Sequence, residues 1–292
     1  MSISALHLYT RTASRSARVV IGQYSTSFSL ACRLLGKETR EHISNIYALV
    51  RLADEVVDGV ASEAGLATPA IAQALDRLEE ETTAALHSGY STNLVVHAFA
   101  CTAREHGIGL DLTTPFFASM RQDLSRKDHN SDSLQDYIYG SAEVVGLMCL
   151  KVFQKMPGAR PDPEGITVQA AKRLGAAFQK VNFLRDLATD SEELGRNYLP
   201  GTQPTQFDES AKRALVQEIN DDLAAALKGV AYLAPRAAQA VRMAHGLFSE
   251  LNDKLARTPA DELLQRRISV SNGRKALIAA GTFLPAKHRS HV

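Results

Sequence analysis

Two pairs of aspartates carry the strongest chemical signal in this sequence. Asp54 and Asp58 sit in ISNIYALVRLADEVVDGV (43–60), and Asp186 and Asp190 sit in AAKRLGAAFQKVNFLRDLATD (170–190). Each is a DxxxD pair, so a helix turning about 100° per residue sets both carboxylates on one side, one turn apart. In the first segment Tyr47, Arg51, Asp54 and Asp58 share a narrow stripe, and most of the rest is Ile, Leu, Val or Ala. In the second, Gln179, Asn182, Asp186 and Asp190 share one, beside Leu174, Ala177, Phe178, Val181, Leu184 and Leu187. A lone aspartate stripe is commonly a solvated face. A helix apolar on most sides, however, belongs in the middle of a large protein. The same design found twice points to the lining of a cavity.

The chemistry follows from charge. Apposed buried carboxylates repel each other and are costly unless neutralised. Hard divalent cations take oxygen ligands, and Mg²⁺ bridges a few carboxylates to substrate phosphates. Two acidic helices facing each other suit several Mg²⁺ ions held against a diphosphate, where they neutralise the leaving pyrophosphate as a C–O bond breaks. Arg51 and Arg185 would add charge-assisted hydrogen bonds to phosphate oxygens. Asn182 offers a neutral oxygen beside Asp186 and Asp190. A calcium loop of EF-hand type does not fit, because these ligands lie in helical pattern and not in a Gly-containing loop.

The elements that must position these residues read as helices throughout. Long stretches are rich in Ala, Leu, Glu, Gln and Arg, with apolar residues at three- and four-residue spacing. No strand alternation or repeat stands out. Breaks fall at Gly59–Pro69, Ser125–Ser133, Met156–Gly165 and Gly195–Asp208, and Pro235 separates two further stretches. Arg196-Asn197-Tyr198-Leu199-Pro200 reads as an ordered loop after a long helix. With 292 residues and no long linker, the expectation is a single all-α domain of about ten helices.

Bulk properties narrow the partners. A net charge of +1 gives no reason to expect nucleic acid. Cys32, Cys101 and Cys149 are widely spaced, which reads as free thiols in a reducing compartment, so a cytoplasmic protein is expected. No apolar run approaches a membrane span. The first 37 residues hold Arg11, Arg15, Arg18, Arg33 and Lys37 and no acid; they are read as a basic first helix in preference to a transit peptide. His129 lies in a polar loop, and His42, His97 and His106 show no metal-ligand spacing.

With these motifs in view, the chain resembles the squalene and phytoene synthase family. IYALVRLADEVVD (46–58) resembles that family's first aspartate motif, and QKVNFLRDLATD (179–190) with GRNYLP (195–200) its second. YSTSFSLA (24–31) looks like its N-terminal substrate-binding turn, YIYGSAEVVGLM (137–148) like its YxYGxAGxVG segment, and RRISVSNGRKALI (266–278) like its C-terminal end. The matches run in order over roughly residues 20–280. Three departures concern substrate contacts: Tyr24 stands where relatives carry His, Glu143 where Gly is usual, and Phe248 where Tyr is common.

The resemblance implies an all-α isoprenoid synthase fold with a central cavity. It implies that Asp54, Asp58, Asn182, Asp186 and Asp190 serve Mg²⁺, with Mn²⁺ as the alternative ion. Tyr24, Ser25, Thr26, Ser27, Arg51, Gln179, Arg185 and Arg267 would lie near substrate diphosphates. Phe28, Tyr47, Tyr139 and Phe248 would line the prenyl pocket, with Tyr47 and Tyr139 turning ring faces toward cations. The implied reaction joins two geranylgeranyl diphosphates head to head through a cyclopropyl diphosphate, and proton loss then gives phytoene. Squalene synthases instead quench the last cation with hydride from NADPH. No GxGxxG follows a strand here, and NADPH is not expected. Small Cys32 and Ser44, expected at the pocket floor, favour the C20 substrate over farnesyl diphosphate. The alternatives are a squalene or dehydrosqualene synthase and, more remotely, a silent member acting as a partner protein; intact DxxxD pairs argue against the latter. Lipidic substrates and products are compatible with peripheral membrane contact, without an anchor.

Overall fold

In a computed structural model the described residues are 4–125, 130–192 and 207–281, and the side chains of 189–192 lie outside that description. Among them there is no strand. The chain begins with α1 (Ala5–Tyr24), α2 (Thr26–Cys32) and α3 (Lys37–Val57). It continues through α4 (Val60–Glu63), α5 (Thr68–Ser88), α6 (Leu94–His106), α7 (Leu110–Ser125) and α8 (Ser131–Ile138). A π-helical turn, Tyr139–Glu143, leads into α9 (Val144–Gln154), and then come α10 (Ile166–Glu192) and α11 (Glu209–Ala226). A 3₁₀ turn, Leu227–Tyr232, precedes α12 (Pro235–Arg257), α13 (Ala260–Leu263) and α14 (Asn272–Gly281).

These are more elements than the ten or so expected. Two, α4 and α13, are single turns of four residues each, too short for periodicity to register. The boundaries follow local chemistry. Asn93 caps α6 by accepting from the amides of Val95 and Val96, and Gly107 ends it in the left-handed region at φ 69°. Asn130 and Ser133 form a reciprocal capping box on α8. Pro235 stands at the start of α12, where its missing N–H costs nothing. The loop expected at 196–200 and His129 lie outside the described residues.

Helix α1 packs against α3 and α6 through buried Ala13, Ser14, Ala17 and Ile21. The basic N-terminal stretch is therefore part of the core. The main core joins α3, α5, α6, α7 and α9 around Leu49, Leu75, Phe99, Phe116, Phe117 and Met148. A second core joins α10, α11, α12 and α13 around Val181, Leu184, Ile219, Leu255 and Leu263. Two glycines allow α10 to approach its neighbours closely. A Cβ on Gly175 would lie 2.5 Å from the Ala142 carbonyl oxygen, and one on Gly146 would lie 2.6 Å from that of Ala171. No helix among the described residues is long and apolar enough to cross a membrane.

Candidate active site

Helices α3 and α10 form walls of one cavity of about 870 Å³, closed further by α2, α9, α12 and the segment before α14. Along α3 the lining residues are Ile43, Ile46, Tyr47, Val50, Arg51, Asp54 and, just past its end, Asp58. Along α10 they include Ala170, Leu174, Phe178, Gln179, Asn182 and Asp186. Both walls change from apolar to polar in the N-to-C direction. From Ile43 to Asp58 is fifteen residues, or roughly 22 Å of helix. The cavity therefore has an apolar body and a polar end.

The polar end is tied together across elements. Buried Asp123 on α7 acts electrostatically on Asp54, and Tyr137 on α8 donates its hydroxyl to Asp123 Oδ2 at 3.0 Å. The Tyr137 ring meets Phe183 of α10 at 6.0 Å between centroids. Basic residues stand among the acids at the same end. The Arg51 guanidinium lies 4.5 Å from the centroid of the Tyr24 ring, Lys275 Nζ donates to Thr26 Oγ1 at 2.8 Å, and Arg267 Nε donates to Asp186 Oδ1 at 2.7 Å. Arg51 also pairs with Glu55, and Arg185 with Asp186.

Electrostatics single out Asp54. Burial first, with the neighbouring Asp58 adding to it and Arg51 opposing, pushes its carboxyl up to about 8. Its remaining exposed surface opens onto the cavity, while protein encloses it elsewhere. Asp58 caps α3, its amide bonding the Asp54 carbonyl at 2.8 Å, so both acids occupy the negative end of the helix dipole. The donor set of this corner is all oxygen, which fits Mg²⁺ and not a thiophilic metal. Nearby, Arg51 Nε is buried with no hydrogen-bond partner, a donor suited to an anion entering the cavity.

Aromatic side chains form the step between the polar end and the apolar body. Phe28 meets Tyr47, Phe178 and Phe248 at 6.2, 5.7 and 5.6 Å between centroids, and Phe178 stacks on Phe248 at 3.8 Å. Deeper in, Cys32 and Cys149 both face the cavity, and burial pushes both thiols up to about 12. They are neutral, small and apolar in effect.

Of the residues expected from sequence, Tyr24, Ser25, Thr26, Ser27, Phe28, Tyr47, Arg51, Asp54, Asp58, Gln179, Asn182, Arg185, Asp186, Phe248 and Arg267 all line this cavity. Asp190 lies on α10, but its side chain is outside the described residues. Tyr139 is a correction. Tyr137 and Tyr139, two residues apart, point about 200° from each other around the helix, so Tyr137 lines the cavity while Tyr139 packs against the main core with Lys172 Nζ 5.0 Å from its ring centroid. Ser44 is another: its hydroxyl donates to the Arg40 carbonyl at 2.7 Å and it does not line the cavity, whereas Cys32 does. Glu143 also lies off the cavity, half-buried near Lys172 and Arg173, so that departure from the family pattern does not touch the lining. Asp123, Tyr137, Phe178 and Lys275 were missed as cavity residues. Asp123 had a visible signal, an acid in the apolar helical run FFASMRQDL; Lys275 had none.

Fold and site together define the class: an all-α isoprenoid synthase fold with its cavity between two aspartate-bearing helices. The fold matches the crystal structure of a dehydrosqualene synthase in complex with ligand, with a TM-score of 0.76 and 20% identity over 94% of this chain and 96% of that one. It also matches a squalene synthase from Alicyclobacillus acidocaldarius, with a TM-score of 0.72 and 20% identity over 86% and 95% of the two chains. In sequence it is 29% identical to the 15-cis-phytoene synthase of a Paracoccus species, over 92% of this chain and 90% of that protein. It is 33% identical to phytoene synthase 2, chloroplastic, of Oryza sativa subsp. japonica, over 68% of this chain but only 47% of that protein. It thus spans about half the length of that plant relative. The squalene/phytoene synthase family model matches residues 21–274, and the chain belongs to that family.

Proposed function

We propose that this protein is a 15-cis-phytoene synthase that condenses two geranylgeranyl diphosphates head to head through a cyclopropyl (prephytoene) diphosphate, in carotenoid biosynthesis. The observation that carries the reading is the polarity gradient shared by α3 and α10, which suits a diphosphate at one end and a long prenyl chain along the walls. The Paracoccus relative, similar over nearly its whole length, supports phytoene as the product.

Asp54 and Asp58 on one wall, with Asn182, Asp186 and Asp190 on the other, would hold Mg²⁺. Bound there, the ions supply neutralisation of the departing diphosphate. Arg51, Arg185 and Arg267 bind its oxygens, and Tyr24, Ser25, Thr26, Ser27 and Gln179 orient it. The apolar body excludes water, which would otherwise trap the allylic cation. Phe28, Tyr47 and Phe248 line the path of that cation, where aromatic rings stabilise positive charge. A proton is lost when the cyclopropane closes and again when the triene forms, so no hydride donor is required.

Product analysis tests this. Purified protein with geranylgeranyl diphosphate and Mg²⁺ is expected to give phytoene with or without NADPH. Faster turnover of farnesyl diphosphate, or a product that needs NADPH, would replace this reading with a dehydrosqualene or squalene synthase.

A further inference from the structure

On the far side of α3 from the aspartates, the fold assembles residues that the sequence separates widely. His42 lies in the first half of α3; Glu105 and His106 are the last two residues of α6. One ligand atom from each, two imidazole nitrogens and a carboxylate oxygen, lie within 4.8 Å of one another. None of the three lines the cavity. Linear spacing gave no sign of a cluster at His42 and His106; helix packing brings them together with Glu105.

The ring of His106 gives an independent sign of a missing ligand. Its side chain is 7% exposed, and both ring nitrogens are buried with no hydrogen-bond partner. A buried imidazole satisfies at least one nitrogen unless something else is meant to bind there. His106 Nε2 is 4.0 Å from Glu105 Oε1, and His42 Nε2 is 3.8 Å from the same oxygen. The two rings meet edge to face at 4.4 Å between centroids. His42 is already oriented, with Nδ1 3.0 Å from Thr102 Oγ1, a hydroxyl also bonded by Asn45 Nδ2 at 3.0 Å. With Nδ1–H donating to Thr102, His42 Nε2 carries its lone pair toward Glu105, the usual outer-shell arrangement of a metal-bound histidine. The site sits at the carboxyl end of α6, where the helix dipole favours a cation.

We propose that His42, Glu105 and His106 bind one divalent transition-metal ion, Zn²⁺ by their chemistry, which fastens the start of α3 to the end of α6. Two imidazoles and a carboxylate with an open fourth position are a zinc donor set and unsuited to Mg²⁺. Tetrahedral zinc with bonds of about 2.0 Å holds its donors about 3.3 Å apart. The three donors here lie up to 4.8 Å apart, so binding draws in the 55% exposed Glu105 side chain and turns the two imidazole rings toward the ion. Two further charges act on His106 from the rim: Lys155, whose Nζ donates to the Glu105 carbonyl and opposes a cation, and Glu38, one turn before His42, which favours one.

The test uses the full chain stripped with a chelator and titrated with Co²⁺ and Zn²⁺. Expected are visible d–d bands of four-coordinate Co²⁺ that saturate at one equivalent and are displaced by Zn²⁺. Expected too is a thermal midpoint that rises with Zn²⁺. Glu105→Gln should weaken Co²⁺ binding at least tenfold, and His106→Gln should abolish the bands. Asp54→Asn should leave them intact, which separates this site from the cavity. Absence of the bands, bands unchanged in Glu105→Gln, or bands lost in Asp54→Asn would each overturn the assignment. Glu105 is exposed, so its variant decides the matter even if His106→Gln does not fold.

Discussion

Arg267 reaches from the segment before α14 to Asp186 on α10, its Nε donating to Oδ1 at 2.7 Å across 81 residues of sequence. Arg185 grips the same carboxylate from its own helix. Asp186 is therefore held by two guanidiniums, whereas Asp54 is enclosed beside a second acid. The two acidic walls are thus in opposite electrostatic states.

Arg267→Gln should raise KM for the prenyl diphosphate about tenfold, since one charge-assisted contact to phosphate is lost. It should also free Asp186 to bind Mg²⁺ more tightly. Steady-state kinetics at several Mg²⁺ concentrations measures both, and the two effects should move in opposite directions.

Asp54→Asn should abolish turnover yet stabilise the metal-free protein. The Asp54 carboxyl is pushed up to about 8 in the fold, from an ordinary value of 3.8. The stability of the protonated form is thus fully present below pH 3.8 and lost as pH rises toward 8. With chelator at pH 7 the variant should gain about 1–3 kcal/mol, because the unfolded chain ionises Asp54 freely while the fold resists that ionisation. Near pH 4 the gain should vanish. Urea titrations at the two pH values check this.

Cys32→Phe should fill the apolar body of the cavity and shorten it. Turnover of geranylgeranyl diphosphate should fall at least tenfold while farnesyl diphosphate is still accepted, because overpacking excludes the longer chain first. The ratio of products from an equimolar mixture reports the shift.

Asp222→Ala should destabilise the fold without touching the cavity. Asp222 on α11 is buried and accepts from Arg173 Nη1 at 2.8 Å and from Lys180 Nζ at 2.9 Å, both on α10. Removing it leaves buried Lys180 with only exposed Glu218, at a cost of about 3–5 kcal/mol. The urea midpoint should fall accordingly.

Much of this was legible in the sequence. Helical periodicity and good helix formers gave the fold class. The repeated DxxxD on apolar helices gave the acidic walls, because side chains one turn apart share a face whatever packs around them. Linear order failed where neighbours decide. Tyr139 matched a motif, but the way this helix packs presents Tyr137, two residues earlier and on the opposite face, to the cavity instead. Ser44 is as small as Cys32, yet it sits on a face of α3 turned toward its own backbone.

By itself, then, the sequence determined what lies one helical turn apart: the paired aspartates of α3 and α10, their apolar flanks, and the caps that end the helices. Those are local properties, set by a fixed rise and rotation per residue. Only the tertiary structure decided what lies across helices. It placed Asp123 beside Asp54, Arg267 on Asp186, Lys275 on Thr26, and His42 against Glu105 and His106. Such pairings depend on which faces meet when α3, α6, α7 and α10 pack, and no spacing along the chain encodes them.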